Sequence, residues 1–108
     1  MAQNFRRYTN NNVGDSAATS FTANSYDTVV GISVANVTAS AVNADVYIND
    51  GTNDIYLVKT APIPAGSSLQ VLDGGAKFVM QSGDALKIIS DTASSLDVWV
   101  SVVDDISS

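Results

Sequence analysis

Residues 96–104 read LDVWVSVVD, and the alternation in this stretch decides the fold class. Successive side chains of a β-strand point to opposite faces, so Leu96, Val98, Val100 and Val102 line one face, and Asp97, Trp99, Ser101 and Val103 the other. The run is a strand with an aliphatic side to bury. VVGISVANV (29–37) repeats the pattern and predicts Val30, Ile32 and Val34 on one face, with Gly31, Ser33 and Ala35 opposite. In the shorter runs ALKIIS (85–90) and KFVMQ (77–81), Leu86 with Ile88 and Phe78 with Met80 are the expected core residues. Strands are predicted near 4–9, 17–22, 27–37, 43–49, 54–60, 67–72, 76–81, 84–90 and 95–104, each closed by turn residues.

YINDGTNDIY (47–56) predicts a hairpin. With Asp50-Gly51-Thr52-Asn53 as the loop, Asn49 faces Asp54, Ile48 faces Ile55, Tyr47 faces Tyr56, Val46 faces Leu57 and Asp45 faces Val58. That register puts aliphatic pairs on one face and a tyrosine pair on the other, a consistency that a one-residue slip would destroy. Downstream lies TAPIPAGSSL (60–69), which holds the chain's two prolines, Pro62 and Pro64. Their spacing is not that of a P-x-x-P ligand, and each removes an amide donor, so the segment is expected to be extended and unfit for an inner strand. It reads as a crossover from the tyrosine hairpin to the next strand, on the opposite sheet.

Composition agrees with a strand-and-turn protein. All eleven acidic residues among the 108 are Asp and none is Glu, and Asp favours turns where Glu favours helix interiors. The length suits a single domain spanning 1–108, with residues 1–12 as a candidate extended N-terminal arm. The expected fold is an all-β antiparallel sandwich, jelly-roll or immunoglobulin-like, of eight or nine short strands.

Charge and residue absences remove whole classes of function. Net charge is −6, and the five cations Arg6, Arg7, Lys59, Lys77 and Lys87 are too few and too scattered for phosphate contact, so no direct nucleic-acid binding is expected. No apolar run approaches the roughly 20 residues of a membrane helix, and no apolar stretch follows Arg6-Arg7 as a secretory signal would require. Histidine is absent, which removes Ser-His-Asp catalysis and most zinc sites; cysteine is absent, which removes thiol chemistry and disulfides. Ser16 in VGDSAATS has no histidine base. Asp50, Asn53 and Asp54 lack the EF-hand glycine and terminal Glu and read as a hairpin turn. VLDGGAKF lacks the spacing of a phosphate loop, Asp104 and Asp105 diverge as strand neighbours, and Asn36-Val37-Thr38 reads as a chance glycosylation sequon. No enzyme, cofactor or metal is expected.

Trp99 and the pair Tyr47 and Tyr56 fall opposite the aliphatic stripes, where a water-facing sheet prefers polar residues. Together with Phe5, Arg6, Arg7 and Tyr8 of the N-terminal strand they are the candidate protein–protein contacts, because tryptophan, tyrosine and arginine anchor interfaces.

Four stretches carry a resemblance: FRRYTNNNVGDSAATSFT (5–22), VVGISVANVTASAVNADVYIND (29–50), YLVKTAPIPAGSSLQVLDGGAKFVMQSGDALKIIS (56–90) and DVWVSVVDD (97–105). The chain resembles small structural proteins of tailed bacteriophages, of the type found in phages of cyanobacteria and marine bacteria. The resemblance runs from Asn4 to about Asp105 and rests on strand, crossover and turn residues, not on a catalytic motif. It implies a non-enzymatic virion component, assembled in the bacterial cytoplasm. Such a β-sandwich associates with itself and with capsid, neck or tail proteins, and decorates or cements the head or joins neck and tail parts. The competing expectation is a carbohydrate- or receptor-binding module of a fibre, with Trp99 or the tyrosines stacking on sugar.

Overall fold

The computed structural model describes residues 4–23, 27–72 and 78–104; for Asn4, Phe5, Leu72, Phe78 and Asp104 it describes the backbone alone. Nine strands follow in chain order: β1 (Asn4–Val13), β2 (Ala18–Thr22), β3 (Asp27–Asn36), β4 (Val42–Asn49), β5 (Asp54–Ile63), β6 (Ser68–Leu72), β7 (Phe78–Met80), β8 (Ala85–Ser90) and β9 (Leu96–Asp104). They correspond one for one to the nine predicted runs. β1 and β5 extend several residues beyond expectation.

The strands form two packed antiparallel sheets. One has the order β1-β9-β3-β6, with β7 also pairing β3; the other has the order β2-β8-β4-β5. Among the described residues β4 and β5 are the only sequence neighbours that pair; every other ladder joins distant strands. An immunoglobulin-like sandwich is rich in local hairpins, whereas a jelly roll winds a pair of long antiparallel arms into two Greek keys. The strand order is that of a jelly roll, with β7 added beside β3.

The core lies between the sheets and follows the alternation of β9. Leu96, Val98, Val100 and Val102 are buried, as are Leu86 and Ile88 of β8 and Met80 of β7. Burying each such side chain stabilises the fold by about 1.5–3 kcal/mol. The Phe78 side chain, the other expected core member of that run, lies outside the described residues, as do Gly74, Gly75 and Lys77.

Two expected registers are corrected. On β3, Val29 is fully buried and Val30 is 38% exposed, because the ladder to β9 shifts between Val29↔Val102 and Gly31↔Ser101. Val30 is the extra residue of a β-bulge, so the inward set is Val29, Ile32 and Val34. In the hairpin, Asn49↔Asp54, Ile48↔Ile55 and Tyr47↔Tyr56 pair as expected, but Val46 pairs Val58 and Ala44 pairs Ala61. Two extra residues on β5 break the projected Val46–Leu57 and Asp45–Val58 pairs. Thr60 adopts a left-handed φ of 54° at the second irregularity, where its amide donates to Asp45 Oδ1 at 2.6 Å.

The proline segment changes sheets as expected. Pro62 pairs Asn43 on β5, an edge strand, where its missing amide breaks no inner ladder. Ile63 is buried, and the chain turns through Gly66 at φ 71°, with the Ser67 amide donating to Pro64 O at 3.1 Å. β6 then joins β3 in the opposite sheet.

Asn36 ties that crossover to β3. Only 2% exposed, it donates from Nδ2 to Ile63 O at 2.9 Å and to Ser40 O at 2.8 Å, while Oδ1 accepts from the Thr38 amide and hydroxyl at 2.9 and 2.7 Å. Both amide hydrogens are engaged, so the sequon read as chance is a structural knot.

Candidate interaction surfaces

Trp99 sits on the outer face of the first sheet. Its neighbours Val98 and Val100 point inward and are buried, so the strand's alternation pushes the indole out, where it is 52% exposed. Thr9 of β1 and Ser33 of β3 are its cross-strand neighbours, and both are small. The Arg7 guanidinium carbon lies 5.5 Å from the ring centroid, within cation–π range. The indole stands between two grooves. One, about 360 Å³, is lined by Thr9, Asn10, Asn11, Ser33 and Asp97 among others; the other, about 290 Å³, is lined by Arg6, Arg7, Val30 and Ser101.

The tyrosine pair lies on the outer face of the second sheet. The ring centroids of Tyr47 and Tyr56 are 5.0 Å apart and tilted by 36°. Tyr47 is buried beneath this arrangement, whereas Tyr56 is 41% exposed. Burial pushes the Tyr47 phenol above its ordinary pKa, and the charges of Asp54 and Asp45 and the neighbouring Tyr56 add to the effect. Lys59 Nζ lies 4.3 Å from the Tyr56 ring centroid and 3.9 Å from Asp45 Oδ2. Lys59 and Asp45 were not among the expected site residues. In a regular strand, residues 56 and 59 face opposite ways; the bulge between the Tyr47↔Tyr56 and Val46↔Val58 pairs turns Lys59 back toward Tyr56.

The N-terminal candidates separate. As strand neighbours, Arg6 and Arg7 diverge: Arg7 pairs Ser101 on the outer face, and Arg6 pairs inward-facing Val102. Tyr8 stacks on Phe21 of β2 at 4.4 Å and 7°, sealing the sandwich beneath β1. The Phe5 side chain lies outside the described residues. Residues 4–12, expected as part of an arm, belong to β1, which pairs along β9 from Asn4↔Asp104 to Asn10↔Val98. The acidic Asp105 end lies outside the described residues.

The hairpin loop closes on itself. Asp50 Oδ1 accepts from the Thr52 and Asn53 amides at 3.0 and 2.8 Å, and Asn49 Nδ2 donates to Asp54 Oδ1 at 2.7 Å. These bonds hold the Asp50 carboxyl below the usual carboxylate range. Oδ1 serves the turn. Among the described residues no group of three or more acidic, His or Cys side chains converges as metal ligands would.

No protein-family model matches the chain, and no curated protein matches it in sequence. Solved structures do. A chain of the Bacillus endospore appendages, which form disulfide-linked pili, superposes with a TM-score of 0.57 at 16% identity, covering 98% of this chain and 88% of that one. A pentameric capsid protein isolated from metagenomic phage sequences superposes in two structures with TM-scores of 0.49 and 0.48, each at 18% identity. These cover 94% of this chain and 60% and 62% of the capsid chains, so this chain spans about three-fifths of their length. At such identities the likeness to the appendage chain is one of fold.

Proposed function

We propose that this chain is a non-enzymatic structural subunit of a bacteriophage virion, which oligomerises and decorates or cements the capsid or joins neck and tail components through protein–protein contacts. The observation that carries the reading is the pair of aromatic–cation surfaces on opposite outer faces of one sandwich: Trp99 with Arg7, and Tyr56 with Lys59. A subunit with an anchor on each face can be held from both sides, and such aromatic anchors dominate interface energetics. The absence of histidine and cysteine from the sequence supports a role without acid–base or thiol chemistry. The appendage chain that shares the fold builds a pilus, but this chain, without cysteine, would assemble by packing and not by disulfides. The resemblance to small phage structural proteins supports the virion as the setting. Quantifying the chain in purified particles tests this: hundreds of copies mean head decoration, six to a few dozen mean neck, tail or fibre, and none sinks the reading.

A second reading, a carbohydrate-binding module, is favoured by the groove beside Trp99, where Thr9, Asn11, Ser33 and Asp97 offer hydrogen bonds next to an aromatic wall. Glycan-array binding that Trp99→Ala abolishes would favour it; a silent array would remove it.

A further inference from the structure

We propose that β1 is a docking edge at which two copies of this chain pair antiparallel, β1 against β1, about a two-fold axis perpendicular to the sheet. The inference rests on the reading of the chain as an oligomerising subunit and names the first contact of that assembly.

The argument begins with the sheet edges. An open strand edge invites pairing with another chain unless it is short, bulged, charged or carries proline. β2 has five residues and a register shift between Thr19 and Phe21. β5 carries two irregularities, the left-handed Thr60, Lys59 and Pro62. On the remaining edge, β6 has five residues with a shift in its ladder, and β7 has three. β1 also carries cations, Arg6 and Arg7, but from Asn4 to Asn10 seven consecutive residues pair β9 without a break, and its register shift and the left-handed Asn12 lie beyond them. A head-to-tail chain of copies needs two open edges, and among the described strands only one is long and regular. One open edge can meet only its own counterpart, which gives a closed two-fold pair.

Side-chain order along β1 favours that pairing in one direction. The strand reads NFRRYTNNNV, with both cations in the first half and three of its four asparagines in the second. A two-fold axis perpendicular to the sheet keeps each face on its own side, so residues of equal parity lie opposite one another. Centred on Tyr8, the pairing sets Arg7 opposite Thr9 and Arg6 opposite Asn10, all within the stretch that keeps its register on β9. This gives each guanidinium a hydroxyl or amide acceptor. A parallel in-register pairing would set Arg6 and Arg7 against themselves, and like charges directly opposite destabilise.

Net charge points to the same edge. Copies carrying −6 each repel, and β1 holds two of the chain's five cations. The Tyr8–Phe21 stack closes the sandwich below β1, so strand addition leaves the core covered. The two Trp99 side chains would flank the seam three strand spacings apart, roughly 14 Å.

Sedimentation equilibrium on the full chain tests the pairing, with Thr9→Lys and Thr9→Asp as variants; Thr9 is exposed, so neither disturbs the core. A concentration-dependent dimer is expected, weakened roughly tenfold or more by Thr9→Lys, which places a cation beside the second copy's arginines, and kept or tightened by Thr9→Asp. Hydrogen exchange should show amides within residues 5–11 gaining protection on dimerisation. Equal effects of the two variants, or protection appearing on β5 or β6 instead, would overturn the pairing while leaving the oligomeric reading intact. A chain monomeric at every concentration and absent from purified particles would overturn both.

Discussion

β9 and β5 contain similar residues but behave differently. β9 lies inside its sheet between β1 and β3, and its alternation from Leu96 to Val102 survives unchanged. β5 lies at an edge, paired on one side by β4, and its ladder slips twice within ten residues. A central strand must satisfy neighbours on both sides, so a slip would disrupt two ladders and turn a whole face inside out. An edge strand risks one ladder, and its irregularities guard it against pairing with other chains. Central β3 does carry one extra residue, Val30, but it falls between the β7 ladder ending at Val29 and the β6 ladder starting at Ile32, so it disturbs the β9 ladder alone.

The most severe way to break the contrast is to cut a leucine in each region. Leu96→Ala should cost about 3 kcal/mol, since the side chain is fully buried, whereas Leu57→Ala, half-buried at the first β5 irregularity, should cost less than about 1 kcal/mol. Urea unfolding of both variants checks the difference, and equal losses would show that β5 is packed as tightly as β9.

Next comes the knot that holds the end of β5 to the central strand β3. Asn36→Ala strips the Ile63 carbonyl of its Asn36 donor and Thr38 of its acceptor, leaves Ser40 O with the Thr38 hydroxyl alone, and should cost about 2 kcal/mol. Asn36→Asp should also destabilise, because it keeps the acceptor but loses both donors. A neutral Asn36→Ala in thermal melts would mean the crossover is held by packing alone.

A gentler effect lies in the hairpin that begins β5. The turn amides hold the folded-state pKa of Asp50 below its ordinary 3.8. A depressed carboxyl stabilises the fold above the unfolded pKa, and that contribution is lost as pH falls through the lower folded value. Melting temperature should therefore fall on acidification below about pH 3.8, and Asp50→Ala should flatten part of that fall. An unchanged acid profile in the variant would remove the turn bonds as its cause.

The smallest effect tests the strain in β5 itself. Thr60 is β-branched and held at φ 54°, a conformation that glycine adopts freely. Thr60→Gly should raise stability by less than about 1 kcal/mol, as strain relief outweighs the greater freedom of the unfolded chain. A destabilised variant would show that the threonine side chain contributes more than its backbone strain costs.

Most of the strands were legible because period-two alternation is local: Leu86, Ile88, Met80 and the inward row of β9 needed no knowledge of their neighbours. The Tyr47–Tyr56 pair was legible too, since a four-residue turn fixes the register of the residues closest to it. Beyond that pair the reading failed. Val30, the Val46–Leu57 pairing and the place of Lys59 beside Tyr56 all depend on bulges, which answer to the strand across the ladder and leave no mark in composition.

The sequence by itself determined an all-β chain, its nine strands, the buried face of β9, the hairpin loop and the change of sheet after Pro64. Those features follow from φ restrictions, turn chemistry and side-chain parity, which act over a few residues. Tertiary structure decided the jelly-roll order, the burial of Asn36, the stacking of Tyr8 on Phe21, and the exposure of β1 as the long regular edge. Each of these depends on which distant strands share a sheet, and that is settled by burying all the aliphatic faces in one core.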